Sequence, residues 1–358
     1  MGKQAVLLLA HGTPETVEQV PEYLRNVVSG RPVPQAVVEE IQHRYALIGK
    51  SPLTEITMEQ ARLVEEAMNG GGGAGPASHP SEKDKSVARA GYLDVRVDVG
   101  MRNWKPYIPE VVKQMRAEGV EQAAVICMAP QNSRTSVGLY RRAVEAEAQG
   151  LRIDFTEGWA RHPLLIEAFA ERLRPAWAKL SEETGQPVPV LFTAHSVPKR
   201  TVEPAVEDRQ DSASHPSDKD KDAARAGHPQ PHWPGQGADP YAEEARHTAE
   251  LVAERVPEIP FWRFAFQSQG ASGGVWIGPS VEETLDGMGR EGVKALVLQP
   301  IGFLCDHVEI LFDVDRLFRE YAAKLGIRLE RPESLNASRT LARAVADLAQ
   351  KGLARLRA

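Results

Sequence analysis

Cysteine is nearly absent from this chain: Cys127 and Cys305 are the only two among 358 residues. Each lies at or just beyond an apolar strand-like run, the usual place for a reduced, buried thiol, so no disulfide is expected. An iron-sulfur cluster normally takes four thiolates, which the chain cannot supply by itself. Long hydrophobic runs are missing as well, and no stretch approaches the roughly 20 apolar residues that a membrane span needs. The first apolar run, "AVLLLA", is too short for a signal-peptide core and leads straight into a loop signal, "HGTP", so a cytoplasmic location is expected. No basic run is interleaved with aromatic residues, and a net charge of -6 argues against a nucleic-acid surface. What is present, 42% hydrophobic and 26% charged residues, is an ordinary globular composition with length for about two domains.

Strand-like apolar runs alternate with amphipathic stretches, which predicts an α/β fold with parallel sheets. The clearest strands are "AVLLLA", "DVRVDVG", "AAVICMAP", "VPVLFTAH", "FWRFAFQS" and "KALVLQPI". The stretch "SPLTEITMEQARLVEEAM" opens with a serine, a proline and an early glutamate, as helices often do. The strands group before and after Gly150, so two doubly wound halves are expected, residues 1–150 and 151–325, with a cleft between their strand ends and a C-terminal segment 326–358. Two segments break the pattern, at about 70–91 and 203–239. They carry near-copies of one sequence, "SHPSEKDKSVARAG" at 78–91 and "SHPSDKDKDAARAG" at 214–227. A paired arm built on His79 and His215 is one reading; a solvated inserted loop outside the chemistry is preferred, because no apolar face exists to bury.

The polar stretch "GFLCDHVEILFDVD" follows the apolar "VKALVLQPI", so its acids and His307 sit at the carboxyl end of a central strand. In open α/β sheets that edge is where ligands bind. Burying Asp306, His307 or Glu309 there costs several kcal/mol, roughly, unless a partner charge or a metal compensates. The candidate partner is His195 in "LFTAHSVPKR", again just past a strand. Imidazole and carboxylate together can bind a divalent transition metal or pass protons near neutral pH. Asp313 and Asp315, one and about two turns beyond Glu309, would extend an acidic track, although an ordinary acidic helix start accounts for them too.

At this point the motifs "LLLAHGTPET", "RYALIGKSPLTEIT", "VGMRNWKP", "AHSVP", "FQSQGASGGVWIGPSVEETL" and "PIGFLCDHVEILFDVD" resemble those of ferrochelatases, in order and along nearly the whole chain apart from the two repeat-bearing insertions. The resemblance implies two Rossmann-like domains with a porphyrin cleft between them and a C-terminal helix packed back on the first. It also implies insertion of ferrous iron, a substrate and not a resident cofactor, into a porphyrin in heme biosynthesis. The essential histidine and glutamate of the family fall on His195 and Glu309, and Asp313 joins them as a candidate metal ligand.

The short, Gram-positive-like members suggest the porphyrin contacts: Arg44, Tyr45, Ser51 and Tyr140 match positions that bind propionates or line the pocket, and Phe266 stands where tryptophan is common. Guanidinium and hydroxyl groups suit carboxylates. A tyrosine usual before "GTP" is His11 here, a candidate axial ligand for product heme; a bland reading leaves its ring bonded to backbone in a tight turn. A further arginine falls on Val28, with Arg25 and Arg31 near enough in sequence to substitute. Coproporphyrin III is therefore preferred to protoporphyrin IX, and a heme carrier without catalysis is the alternative of another class. The segments "SGRPVP" and "IGKSPL" at the cleft lip admit peripheral membrane contact, a plain pocket rim being preferred, and the short form suggests a monomer.

Overall fold

The computed structural model describes residues 2–70, 95–202, 238–269 and 274–358. Both near-copies of the repeat, with His79 and His215, lie outside them. Two four-stranded parallel sheets share one topology. The first, in the order β2-β1-β3-β4, uses Lys3–Ala10 (β1), Arg96–Met101 (β2), Val120–Cys127 (β3) and Arg152–Thr156 (β4). The second, β6-β5-β7-β8, uses Val190–His195 (β5), Trp262–Gln267 (β6), Ala295–Pro300 (β7) and Arg328–Glu330 (β8). In each sheet the strand order reverses at its first strand, so a crevice opens at the carboxyl ends of β1 and β3 and again at β5 and β7.

Two boundaries differ from the expected ones. β4 belongs to the first sheet and β8 to the second, so the halves run past residues 150 and 325. Both are edge strands, five and three residues long, with the sequences "RIDFT" and "RLE". Edge strands need no doubly apolar run, so hydrophobicity does not reveal them. β1, by contrast, is central, and its residues from Ala5 to Ala10 are all buried. Val6, Leu8 and Ala10 face one core with helices α3 (Leu53–Met68) and α10 (Arg339–Arg357), and Ala5, Leu7 and Leu9 face the other with α4 (Ile108–Ala117) and α5 (Val137–Glu145). Each such leucine contributes about 1.5–3 kcal/mol.

The remaining helices are α1 (Val20–Val27), α2 (Gln35–Ile48), α6 (Pro163–Thr184), α7 (Tyr241–Glu254), α8 (Val281–Arg290) and α9 (Arg319–Lys324). α10 packs on α3, β3 and β4, and also on α6, so one apolar core runs from the first sheet to the second. The fit is close: a Cβ on Gly352 would stand 2.9 Å from the Asp154 carboxylate and 3.1 Å from Ala124. No helix among the described residues is long and apolar enough to cross a membrane.

Ser51 does not cap α3. The N-cap is Pro52, and the Ser51 hydroxyl is turned inward to accept a hydrogen bond from Thr13 at 3.0 Å. Glu309–Phe318 winds as a π-helix of ten residues, not the α-helix that the Glu309, Asp313 and Asp315 spacing suggests. Such wide turns are rare and gather at functional sites.

Candidate active site

His195 ends β5, and the loop after β7 brings Glu309 to it. Gly302 makes that approach, since a Cβ there would meet Ala194 Cβ at 3.0 Å. His195 Nε2 lies 3.4 Å from Glu309 Oε1, and His307 Nε2 lies 3.5 Å from Glu309 Oε2. The other nitrogen of each ring is fixed by a carbonyl: Nδ1–H of His195 donates to Ser196 and Nδ1–H of His307 to Cys305. A carbonyl only accepts, so Nδ1 carries the proton in both rings. Tyr241 donates to the His195 carbonyl at 2.9 Å, and the Phe303 ring packs between the two imidazoles.

Burial alone would lower the His195 pKa, but the Glu309 charge, its hydrogen bond and the Ser196 carbonyl outweigh burial and raise it. Burial would likewise raise Glu309, and the two histidines outweigh it, holding the carboxyl well below the usual carboxylate range. Each charged form therefore favours the other. Among the described residues no group of three or more His, Cys, Asp and Glu side chains is gathered into a metal cage.

The other acids of the stretch are spoken for. Asp313 Oδ1 accepts from Arg44 Nη1 at 3.1 Å and Oδ2 from the Ser268 hydroxyl, while burial raises its pKa despite the Ser268 bond. Asp315 takes Arg331 through two bonds of 2.7 Å. Asp315 is thus a structural partner and not a continuation of an acidic track. Asp306 accepts from Ser334, Asn336 and Arg331.

His11, directly after β1, is half-buried, and its ring bonds side chains, not backbone. Its Nε2 lies 2.8 Å from the Tyr23 hydroxyl and 3.1 Å from Asn103 Nδ2. Burial, then the charge of Arg102, push its pKa down to about 3, so it stays neutral. Val308, next to Glu309, packs on the cluster that holds Tyr23, and Tyr23 bonds His11, so the end of β1 and the Glu309 segment after β7 meet one space.

Of the expected porphyrin contacts, Arg44 crosses between the halves, pairing with Glu40 at 2.9 Å and Asp313 and stacking on Phe312. Tyr45 is fully buried, its hydroxyl toward Ser51 yet without a partner at hydrogen-bonding geometry. Tyr140 is buried in the α4 and α5 core beneath Arg102. Phe266 does not join them. Its register on β6 turns the ring into the core, 1% exposed, edge-on to Phe264 and covered by Arg246 of α7. Arg25 is exposed, and Arg31 Nε donates to the Val28 carbonyl at 2.9 Å. Sequence reasoning placed His307 at the strand end without giving it a role, and it left out Tyr23, Ser268 and Arg102. His307 was signalled by standing two residues before Glu309; the others carry no local signal.

The ferrochelatase family model matches residues 3–353. The chain is 52% identical over 357 residues to a ferrochelatase of Acidobacterium capsulatum, covering 99% of this chain and 96% of that one. It is 33% identical over 353 residues to a ferrochelatase of Thermus thermophilus, covering 96% and 98%. A coproporphyrin III ferrochelatase of Halalkalibacterium halodurans is 29% identical over 357 residues, covering 98% of each. Among solved structures, SirB from Bacillus subtilis with Fe3+ has a TM-score of 0.51 at 11% identity over 99% of this chain and 97% of that one, a likeness of fold. Matched from its first strand to its last helix, the chain belongs to the ferrochelatase family.

Proposed function

We propose that the chain inserts ferrous iron into coproporphyrin III, with His195 and Glu309 taking the ion and the pyrrole protons. The observation that carries this is the 3.4 Å approach of His195 to Glu309 at the carboxyl ends of β5 and β7, facing His11 at the end of β1. Metalation strips water from the ion and releases two protons from the macrocycle. A carboxylate and an imidazole can replace aquo ligands, and either accepts a proton while it is not holding the ion. His195 must first lose the proton that Glu309 stabilises, because an imidazolium has no lone pair for iron. A carrier needs one axial ligand and no such coupled pair, so catalysis is the better reading.

Asp313 joins the metal path when a propionate replaces it on Arg44. That exchange is isoelectric for the guanidinium and frees one carboxylate beside Glu309 as the porphyrin seats. His11, neutral at physiological pH, is a competent axial ligand for the iron of the product. The likeness to coproporphyrin III ferrochelatases and the match at Arg44, Tyr45, Ser51 and Tyr140 support the four-propionate substrate, despite Val28. Steady-state rates on coproporphyrin III and protoporphyrin IX, with the absorption spectrum of iron porphyrin bound to wild type and His11→Ala, test the reading. A faster coproporphyrin III reaction and a spectrum altered by the substitution are expected. Preference for protoporphyrin IX overturns the substrate, and an unchanged spectrum overturns the ligand.

A further inference from the structure

Arg102 is a half-buried guanidinium at the end of β2 that meets no carboxylate among the described residues. Its contacts are the Asn103 side-chain oxygen at 3.3 Å, the Thr135 carbonyl at 3.4 Å and the face of Tyr140 at 5.6 Å. Those hydrogen bonds are long, and none brings a negative charge. Arg44, the other guanidinium at this crevice, already holds two carboxylates. A cation kept partly out of water without a counter-ion is costly, which points to an anion supplied from outside.

Its position says which one. The backbone N–H of Arg102 donates to the Ala10 carbonyl at 3.0 Å and that of Asn103 to the His11 carbonyl at 2.9 Å, so Arg102 leaves the sheet directly beside His11. It lies over Tyr140, which belongs to the α4 and α5 core. Ser51, bonded to Thr13, lies at the start of α3, whose Leu53 belongs to the opposite core. Ser51 and Arg102 thus stand toward opposite faces of the first sheet near His11, and Arg44 supplies a second guanidinium from α2. A porphyrin with propionates on all four rings carries acid on two opposite edges, whereas one with two propionates on adjacent rings carries it on one. We propose that Arg102 binds a propionate on the second edge and so selects a tetracarboxylate porphyrin over a dicarboxylate one. This rests on the crevice being the porphyrin site.

Metal-free porphyrin titrations followed by fluorescence test it without turnover. Charge-assisted hydrogen bonds of this kind support a loss of about tenfold or more, about 1.4 kcal/mol per tenfold. Arg102→Gln is expected to weaken coproporphyrin III by at least about tenfold and protoporphyrin IX by less than about twofold. Arg102→Lys, which keeps the charge but loses the fork, is expected to lose only a few-fold and only on coproporphyrin III, and it stands in if the glutamine variant does not fold. Equal losses on both porphyrins, no loss on either, or equal wild-type affinities would overturn the proposal. A wild type that turns over protoporphyrin IX faster while Arg102→Gln still selectively weakens coproporphyrin III would sink the substrate assignment and leave Arg102 as the clamp.

Discussion

Arg331 offers a prediction whose size follows from its contacts. Its side chain is 11% exposed and spends a bidentate fork on Asp315, a bond of 3.2 Å on Asp306 and another of 3.2 Å on Ser334. Asp306 opens the stretch that carries Glu309, and Asp315 lies within its π-helix, so one guanidinium holds the Glu309-bearing segment at both ends. Asn336 extends the tie to the first half, since its carbonyl accepts from Gln60 of α3 at 2.9 Å while its side chain bonds Asp306. Removing one partner of a buried ion pair costs about 3–5 kcal/mol. Asp306 would keep Ser334 and Asn336, and the Asp315 side chain is 25% exposed, so the lower end applies. Arg331→Ala should lose about 3 kcal/mol in urea unfolding and lower the thermal midpoint by about 4 °C. Arg331→Lys, without the fork, should lose about 1–2 kcal/mol. Because Glu309 sits between the anchors, kcat should fall more than stability at assay temperature requires, on the order of a hundredfold for a shift near 1 Å, with porphyrin affinity kept. An Arg331→Ala protein with a midpoint within about 2 °C of wild type and kcat within about twofold would refute the clamp.

The neutral burial of His11 sets a pH dependence. Its folded pKa of about 3 lies below the ordinary 6.5, so the unfolded chain binds more protons and stability falls as pH drops below 6.5. Between pH 7.5 and pH 5 the wild type should lose about 2 kcal/mol more than His11→Leu in urea unfolding, and equal losses would show that His11 is not held neutral. The Arg44 and Asp313 pair joins the halves with side chains 27% and 5% exposed. A double-mutant cycle with Arg44→Ala and Asp313→Ala should give a coupling of about 1–2 kcal/mol in stability without porphyrin and near zero with coproporphyrin III bound. A coupling that porphyrin leaves unchanged would contradict the exchange of Asp313 for a propionate.

Central strands and glycine-bearing strand ends were legible because their physics is local. β1 and β7 are apolar on both faces, and "HGTP" and "GFL" mark turns that only small residues fit. The edge strands β4 and β8 were not, since their covered surface is small and their sequences are half charged. The pair His195 and Glu309 was legible because each follows a readable strand. What Asp313, Asp315 and Asp306 do was not, because Arg44, Arg331 and Asn336 come from elements distant in the chain and helical spacing says nothing of them. Ser51 shows the same limit: its sequence context is that of a cap, and a tertiary bond to Thr13 displaces it.

The proposed metalation rests on one pair of side chains, His195 and Glu309. Anaerobic metalation of coproporphyrin III with ferrous iron, measured for His195→Ala and Glu309→Ala from pH 6 to 9 together with porphyrin affinity, tests it most directly. Either substitution should lower kcat at least about a hundredfold with affinity within about twofold of wild type. The wild-type rate should climb with pH through a value above 6.5, where His195 gives up its proton, and this limb should vanish in His195→Ala. Wild-type turnover in His195→Ala, or an acid limb that survives the substitution, would contradict it.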